Sequence, residues 1–155
     1  MSCKAPPEFP DLTAKAEALA AADPTFAEAI RAGGGSYRDP RIHAVFAMAP
    51  ALGPVVTAES LKAIAIPTAV VAGEQDSIIP IEANARYYAG EIPRAELTIF
   101  PGGVDHYTFV NVCTDAGRRV LPLICVDRPG VDREAIHNAT IDLATKFFGS
   151  HLSAH

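Results

Sequence analysis

Three short apolar runs, each followed by a polar turn, constrain what this chain can fold into more than any other feature. Ile42 to Met48, Pro67 to Gly73 and Ala95 to Phe100 have the length and the Val, Ile and Phe content of buried strands. Helical segments alternate with them. Thr57 is placed to cap a short helix to about Ile64, and Ile81 to Ile92 reads as a second. Asp132 to Phe148 reads as the longest. Ala135, Ala139, Leu143 and Phe147 share one face there, with Ile136, Ala144 and Phe148 beside them. Parallel neighbours need a crossover connection, so this alternation demands a parallel sheet with helices on its faces. The expected fold is α/β: a parallel sheet of about three strands with flanking helices, joined by two right-handed crossovers.

The residues before the first run have a different character. Pro6, Pro7 and Pro10 give an extended beginning, Asp11 is placed to cap a helix to about Ala22, and Asp23-Pro24 restarts a second helix that Gly33 ends. Gly33-Gly34-Gly35-Ser36 through Asp39-Pro40 reads as a flexible connector. The expected organisation is a helical lead-in over 1–38 and an α/β unit over 39–155, with no internal repeat.

Composition removes several classes of function. At 155 residues and 49% apolar content the chain suits a single sizeable core. A net charge of −5 with no repeated basic patch argues against nucleic acid as a partner. Every apolar stretch falls short of the ~20 residues a membrane span needs, and Met1 to Pro7 has no apolar signal core. The expected location is therefore cytoplasmic as written, and periplasmic or secreted for a full-length parent. The three cysteines lack the paired spacing of a zinc site. Cys113 and Cys125 either bridge the segment they flank or stand as two buried thiols, and Cys3 is left over.

In a parallel α/β sheet, ligands bind beyond the carboxyl ends of the strands. Gly73-Glu74-Gln75-Asp76 closes one apolar run, and Asp105-His106-Tyr107 follows the next, so Asp76 and His106 belong at one edge. An acid beside a histidine holds its tautomer and stabilises the imidazolium formed when it takes a proton. The same residues admit a plainer reading, in which Asp76 caps the helix near Pro80 and His106 is a loop residue. Tyr107 and Phe109 either line a pocket or pack. His43 is expected within a strand or at its end, His137 on the polar side of the last helix, and His151 and His155 in the tail. No pair among them has metal-ligand spacing with a nearby carboxylate, and Gly33-Gly34-Gly35 does not lie between a strand and a helix as a phosphate loop would. No metal and no cofactor is expected.

From about Asp39 onward the chain resembles the C-terminal part of an α/β-hydrolase. The resemblance is to bacterial predicted dienelactone hydrolases, relatives of the platelet-activating-factor acetylhydrolases. It rests on Asp39-Pro40-Arg41-Ile42, Ala47 to Gly53, Ile66-Pro67, Val70-Val71-Ala72-Gly73-Glu74-Gln75-Asp76 and Gly102-Gly103-Val104-Asp105-His106-Tyr107-Thr108-Phe109. It implies a partial α/β-hydrolase fold in which Asp76 and His106 are the acid and base of a Ser-Asp-His triad, Glu74 being the competing acid. It implies a small-molecule ester as substrate once an N-terminal half completes the fold.

The departure from that family is the nucleophile. Of the serines only Ser36 has a glycine two residues before it, Gly34, and Arg38 stands where the second glycine of G-x-S-x-G belongs. Ser36 also follows a helix and not a strand, and neither Cys3 nor Cys113 lies in a strand-turn-helix context. Two readings follow: the C-terminal portion of a serine ester hydrolase, or a non-catalytic α/β-hydrolase-like module that binds a partner. Either leaves the run at 42–48 with an open edge that the small helices at 11–32 are too slight to cover, which implies a homo-oligomer.

Overall fold

A computed structural model of the protein describes residues 11–152. They form two compact units that meet in sequence at Arg41–Ile42. The first contains α1 (Leu12–Ala22) and α2 (Pro24–Ala32). Asp23 caps α2, its Oδ1 accepting the N–H groups of Thr25 at 2.8 Å and Phe26 at 3.3 Å, and Pro24 takes the first helical position, where a missing N–H costs nothing. Asp11 does not cap α1 as its residue type suggests. Its side chain is turned to the Lys15 ammonium, 2.7 Å away.

The second unit is built on three parallel strands in the order β1 (Val45–Met48), β2 (Thr68–Gly73), β3 (Glu96–Phe100). Val45 pairs with Thr68 and Met48 with Val71, while Ala69 pairs with Glu96 and Gly73 with Phe100. Helix α3 (Ala58–Lys62) joins β1 to β2, and α4 (Ala85–Glu91) joins β2 to β3. After β3 come a 3-10 turn at His106–Phe109, α5 (Asp115–Val120), α6 (Pro122–Cys125) and the long α7 (Arg133–His151).

Strand β2 is central, and all six of its residues are buried. The pleat sends Val70 and Ala72 to one face, against Ala85, Ile81 and Tyr88 of the α4 layer. It sends Val71 to the other, where Phe100, Val104, Phe46, Ile136, Ala139 and Leu143 close the core beneath α7. A strand covered on both faces has no polar side to show, which is why 68–73 reads as an unbroken apolar run.

Several boundaries differ from the pattern in the sequence. The first strand begins at Val45, because its first ladder bond, Val45 N–H to Pro67 carbonyl at 3.0 Å, has no counterpart for Ile42 and His43; His43 is exposed before the strand. The segment 81–92 is not one helix but a 3-10 turn (Ile81–Ala83) followed by α4. Asn84 interrupts it: its Oδ1 accepts the Gly53 N–H at 2.9 Å and its Nδ2 donates to the Pro80 carbonyl at 2.9 Å, with the backbone at φ −128° and ψ −90°. This buried amide ties the loop after β1 to the start of α4, as do the Tyr87 hydroxyl on the Val56 carbonyl and the Tyr88 hydroxyl on the Ala51 carbonyl. Helix α7 continues to His151, and Ala135 is exposed because Ile136, Ala139, Leu143 and Phe147 make the inward stripe.

Candidate functional site

Parallel strands end together, so the loops after β2 and β3 rise from the same edge of the sheet. Gly73 at the end of β2 makes their approach possible. A β-carbon there would fall on the backbone carbonyl of Val104, so only glycine lets the loop after β3 lie against the strand. The Gln75 N–H then reaches the Val104 carbonyl at 3.1 Å, and the Glu74 N–H reaches that of Phe100 at 2.9 Å.

Asp76 and His106 meet on this platform. His106 Nδ1 lies 3.0 Å from Asp76 Oδ2. The Asp76 side chain is 1% exposed and that of His106 is 25% exposed, so the acid is sealed while the imidazole reaches the surface. The other oxygen of Asp76, Oδ1, accepts the N–H groups of Ile78 at 3.1 Å and Ile79 at 2.6 Å. Asp76 does not cap the helix near Pro80, where the turn at Ile81–Ala83 has no side-chain cap; one of its oxygens closes the loop 76–79 and the other meets the histidine. A carboxylate only accepts, so a neutral imidazole paired with one donates through Nδ1 and leaves Nε2 as its acceptor nitrogen. Among the described residues Nε2 has no hydrogen-bond partner. A neutral ring held in this way can accept a proton at Nε2.

A second carboxylate, Asp105, sits beside the pair. Its oxygens accept the Ser77 N–H at 2.7 Å, the Ser77 hydroxyl at 2.8 Å, the His106 N–H at 2.7 Å and Arg128 Nη2 at 2.9 Å. Burial is the largest single influence on this carboxyl and opposes its ionisation. The N–H groups of Ser77 and His106, the Ser77 hydroxyl and Arg128 together outweigh it and hold the pKa at about 2.

Below the imidazole, Thr108 joins the 3-10 turn to a buried ion pair. Its hydroxyl donates to Asp127 Oδ1 at 2.8 Å, and Arg133 Nε donates to Asp127 Oδ2 at 2.8 Å. Arg133 also satisfies the carbonyls of Asn111 and Ile124. Cys113 and Cys125 form a disulfide with Cα atoms 5.5 Å apart, so Cys113 is not a free thiol.

The other candidates lie elsewhere. Glu74 accepts the Gly102 N–H at 3.3 Å and does not touch His106. Phe109 packs on Phe100, and Tyr107 meets the His106 ring edge-on at 5.4 Å. His137 is not on a polar face: it is half-buried, with Nε2 2.8 Å from the Thr108 carbonyl. His151 ends α7 against Glu96 and Phe147. Ser36 stands in irregular chain after α2, and Cys3 and His155 lie outside the described residues. Among the described residues no three His, Cys, Asp or Glu side chains are grouped to hold a metal ion, and no helix is long and apolar enough to cross a membrane. A cavity of about 220 Å³ opens at the opposite edge of the sheet, lined by Pro67, Arg94, Phe147 and His151. It is remote from the acid–histidine contact, whose chemistry and not enclosure marks the site.

No protein-family model matches the chain. A stretch of 44 residues is 48% identical to a curated protein, the non-heme chloroperoxidase CPO-A1 of Kitasatospora aureofaciens, an α/β-hydrolase. The match covers 28% of this chain and only 16% of that relative's length. The parallel three-stranded sheet with flanking helices is a partial α/β fold, and this local likeness links it to the α/β-hydrolase superfamily without selecting a family within it.

Proposed function

We propose that residues 39–155 are the C-terminal portion of a serine carboxylester hydrolase, with residues 1–38 as a helical lead-in, and that Asp76 and His106 are its acid and base. The observation that carries this is the contact of His106 Nδ1 with the sealed Asp76 carboxylate, which leaves Nε2 unengaged among the described residues. In the complete enzyme Nε2 takes the proton of a serine hydroxyl as its oxygen attacks the ester carbonyl, then gives that proton to the departing alcohol. Asp76 holds the ring and stabilises the imidazolium between the two steps. Water repeats the sequence on the acyl-enzyme and releases the acid. The motif Gly102 to Phe109 and the run Val70 to Asp76 favour a relationship to dienelactone hydrolases and platelet-activating-factor acetylhydrolases.

The serine is supplied by a segment outside these residues, on a strand that pairs with the open side of β1. By itself the chain forms a homo-oligomer there. The Cys113–Cys125 bridge favours an exported parent, since disulfides persist in oxidising compartments. A second reading, a non-catalytic binding module, draws on the absence of any G-x-S-x-G in the 155 residues.

The test is hydrolysis of a short p-nitrophenyl ester. The chain alone is expected to show negligible turnover and no fluorophosphonate labelling. Turnover should arise when it is combined with an N-terminal α/β-hydrolase half carrying the elbow serine, and H106A should abolish it. Stoichiometric labelling of Ser36 would overturn the assignment, and complementation that survives H106A would favour the binding module.

A further inference from the structure

Asp105 lies one residue from His106, yet most of its hydrogen bonds leave its own turn. Oδ1 accepts the N–H groups of Ser77 and His106, both at 2.7 Å, and lies 3.0 Å from the Ser77 hydroxyl. Oδ2 faces the Ser77 hydroxyl at 2.8 Å and the Arg128 guanidinium, with Nη2 at 2.9 Å and Nε at 3.3 Å. Arg128 continues to the other neighbour of Asp76, donating through Nη1 to Gln75 Oε1 at 2.7 Å and through Nη2 to the Gln75 carbonyl at 3.4 Å. Both residues flanking Asp76 and the residue preceding His106 are thereby gathered on one carboxylate–guanidinium centre.

We propose that Asp105 is a positioning residue that, with Ser77 and Arg128, clamps the loop after β2 to the loop after β3 and so fixes the Asp76–His106 contact. This rests on the reading of Asp76 and His106 as an acid–base pair. Those two side chains stand 30 residues apart on separate loops and share a single contact. The backbone bond of Gln75 N–H to the Val104 carbonyl at 3.1 Å and the bond of Gly102 N–H to the Glu74 carboxylate at 3.3 Å join the two loops nearer the strand ends. Neither involves a residue adjacent to His106, and proton transfer needs the two side chains in register within a few tenths of an ångström. The clamp supplies a side-chain link parallel to the Asp76–His106 contact, between the residue after Asp76 and the residue before His106. It is made of charge-assisted bonds, which are shorter and stronger than neutral ones.

Asp105 also caps the turn at 106–109, where its N–H meets Thr108 Oγ1 at 3.3 Å. Capping alone would need neither Ser77 nor Arg128. Substitutions at those two positions leave the cap intact and separate the two roles.

The readout is the low-field proton signal of His106 Nδ1–H in the full chain, identified by its loss in H106Q, and its rate of exchange with water. The unmodified chain should give a protected signal. Ser77→Ala and Arg128→Met should each speed its exchange by about tenfold or more, the factor expected for losing a hydrogen bond to a charged group, with the β2 amides unchanged. Arg128→Lys, which keeps the charge but not the fork, should recover part of the protection. Asp105→Asn, whose amide oxygen still accepts the two N–H groups, should fall between the unmodified chain and Asp105→Ala. If Asp105→Ala does not fold, the Ser77 and Arg128 variants decide. A protected signal that none of these substitutions disturbs would overturn the positioning role and leave the acid–base pair standing. Exchange that quickens equally at His106 and throughout β2 would also overturn it, as a purely structural effect. An unmodified chain without a protected Nδ1–H would remove both the clamp and the pair.

Discussion

Gly73 and the carbonyl of Val104 occupy adjoining space, so that a β-carbon on the one would coincide with the backbone of the other. The end of β2 and the loop that carries His106 are therefore fitted to each other through an absent side chain. Gly73→Ala should cost at least about 3 kcal/mol, the upper part of the range for overpacking, because the obstructing atoms are main chain and cannot rotate away. Gly90 in α4 is the control. A β-carbon there meets nothing within 4 Å, so Gly90→Ala should stabilise by about 0.5–1 kcal/mol. Urea unfolding of both variants checks the contrast.

Acid should undo the Asp105 clamp in a defined window. The pKa of this carboxyl is held at about 2, below the ordinary value of 3.8. The folded state thus binds the proton less readily than the unfolded chain. The stability it contributes is present in full above the unfolded value and is lost as pH falls through the folded one. Unfolding midpoints measured from about pH 5 down to about pH 2 should fall less steeply in Asp105→Asn than in the unmodified chain. Parallel curves would show that Asp105 carries no such linkage.

Arg133 and Asp127 are a buried pair, with side chains 7% and 14% exposed. Arg133→Met would strand the Asp127 carboxylate and orphan the carbonyls of Asn111 and Ile124. Removing one partner of such a pair costs about 3–5 kcal/mol. The double variant with Asp127→Asn should recover part of that loss, since no unpaired charge remains. Guanidinium unfolding of the two single variants and the double gives the coupling directly.

The parts of this architecture that were legible in the sequence are those fixed by short-range pattern. Residues 68–73 are apolar without interruption because helices cover both faces of β2, and the acid and histidine follow β2 and β3 because parallel strands end at one edge. What sequence reading missed depends on partners far along the chain. Asn84 breaks a helical pattern to serve Gly53, 31 residues earlier. Arg128 reaches back 53 residues to Gln75. The segment 110–126 has no periodicity of its own, yet it holds two short helices pinned by a disulfide and by Arg133. Asp105 stood in plain view next to His106, but nothing local to it points to Ser77. His137 was misread because a helix face that looks polar presents it to the Thr108 carbonyl.

Strand β1 has β2 on one side and, among the described residues, no strand on the other. The N–H groups of Val45 and Ala49 bond to the carbonyls of Pro67 and Val71. By the alternation of a β-ladder, the N–H groups of Phe46 and Met48 then face the open side. Met48 itself is 52% exposed, which adds apolar surface to unpaired main chain. Such an edge recruits another strand, and in the isolated chain the strand at hand is a second copy of β1. Light scattering at micromolar concentration should therefore report a dimer or larger assembly. Met48→Pro removes a donor from the open side without touching a β2 ladder bond, and it should yield a folded monomer. A monodisperse monomer from the unmodified chain would show that the edge is not available for pairing.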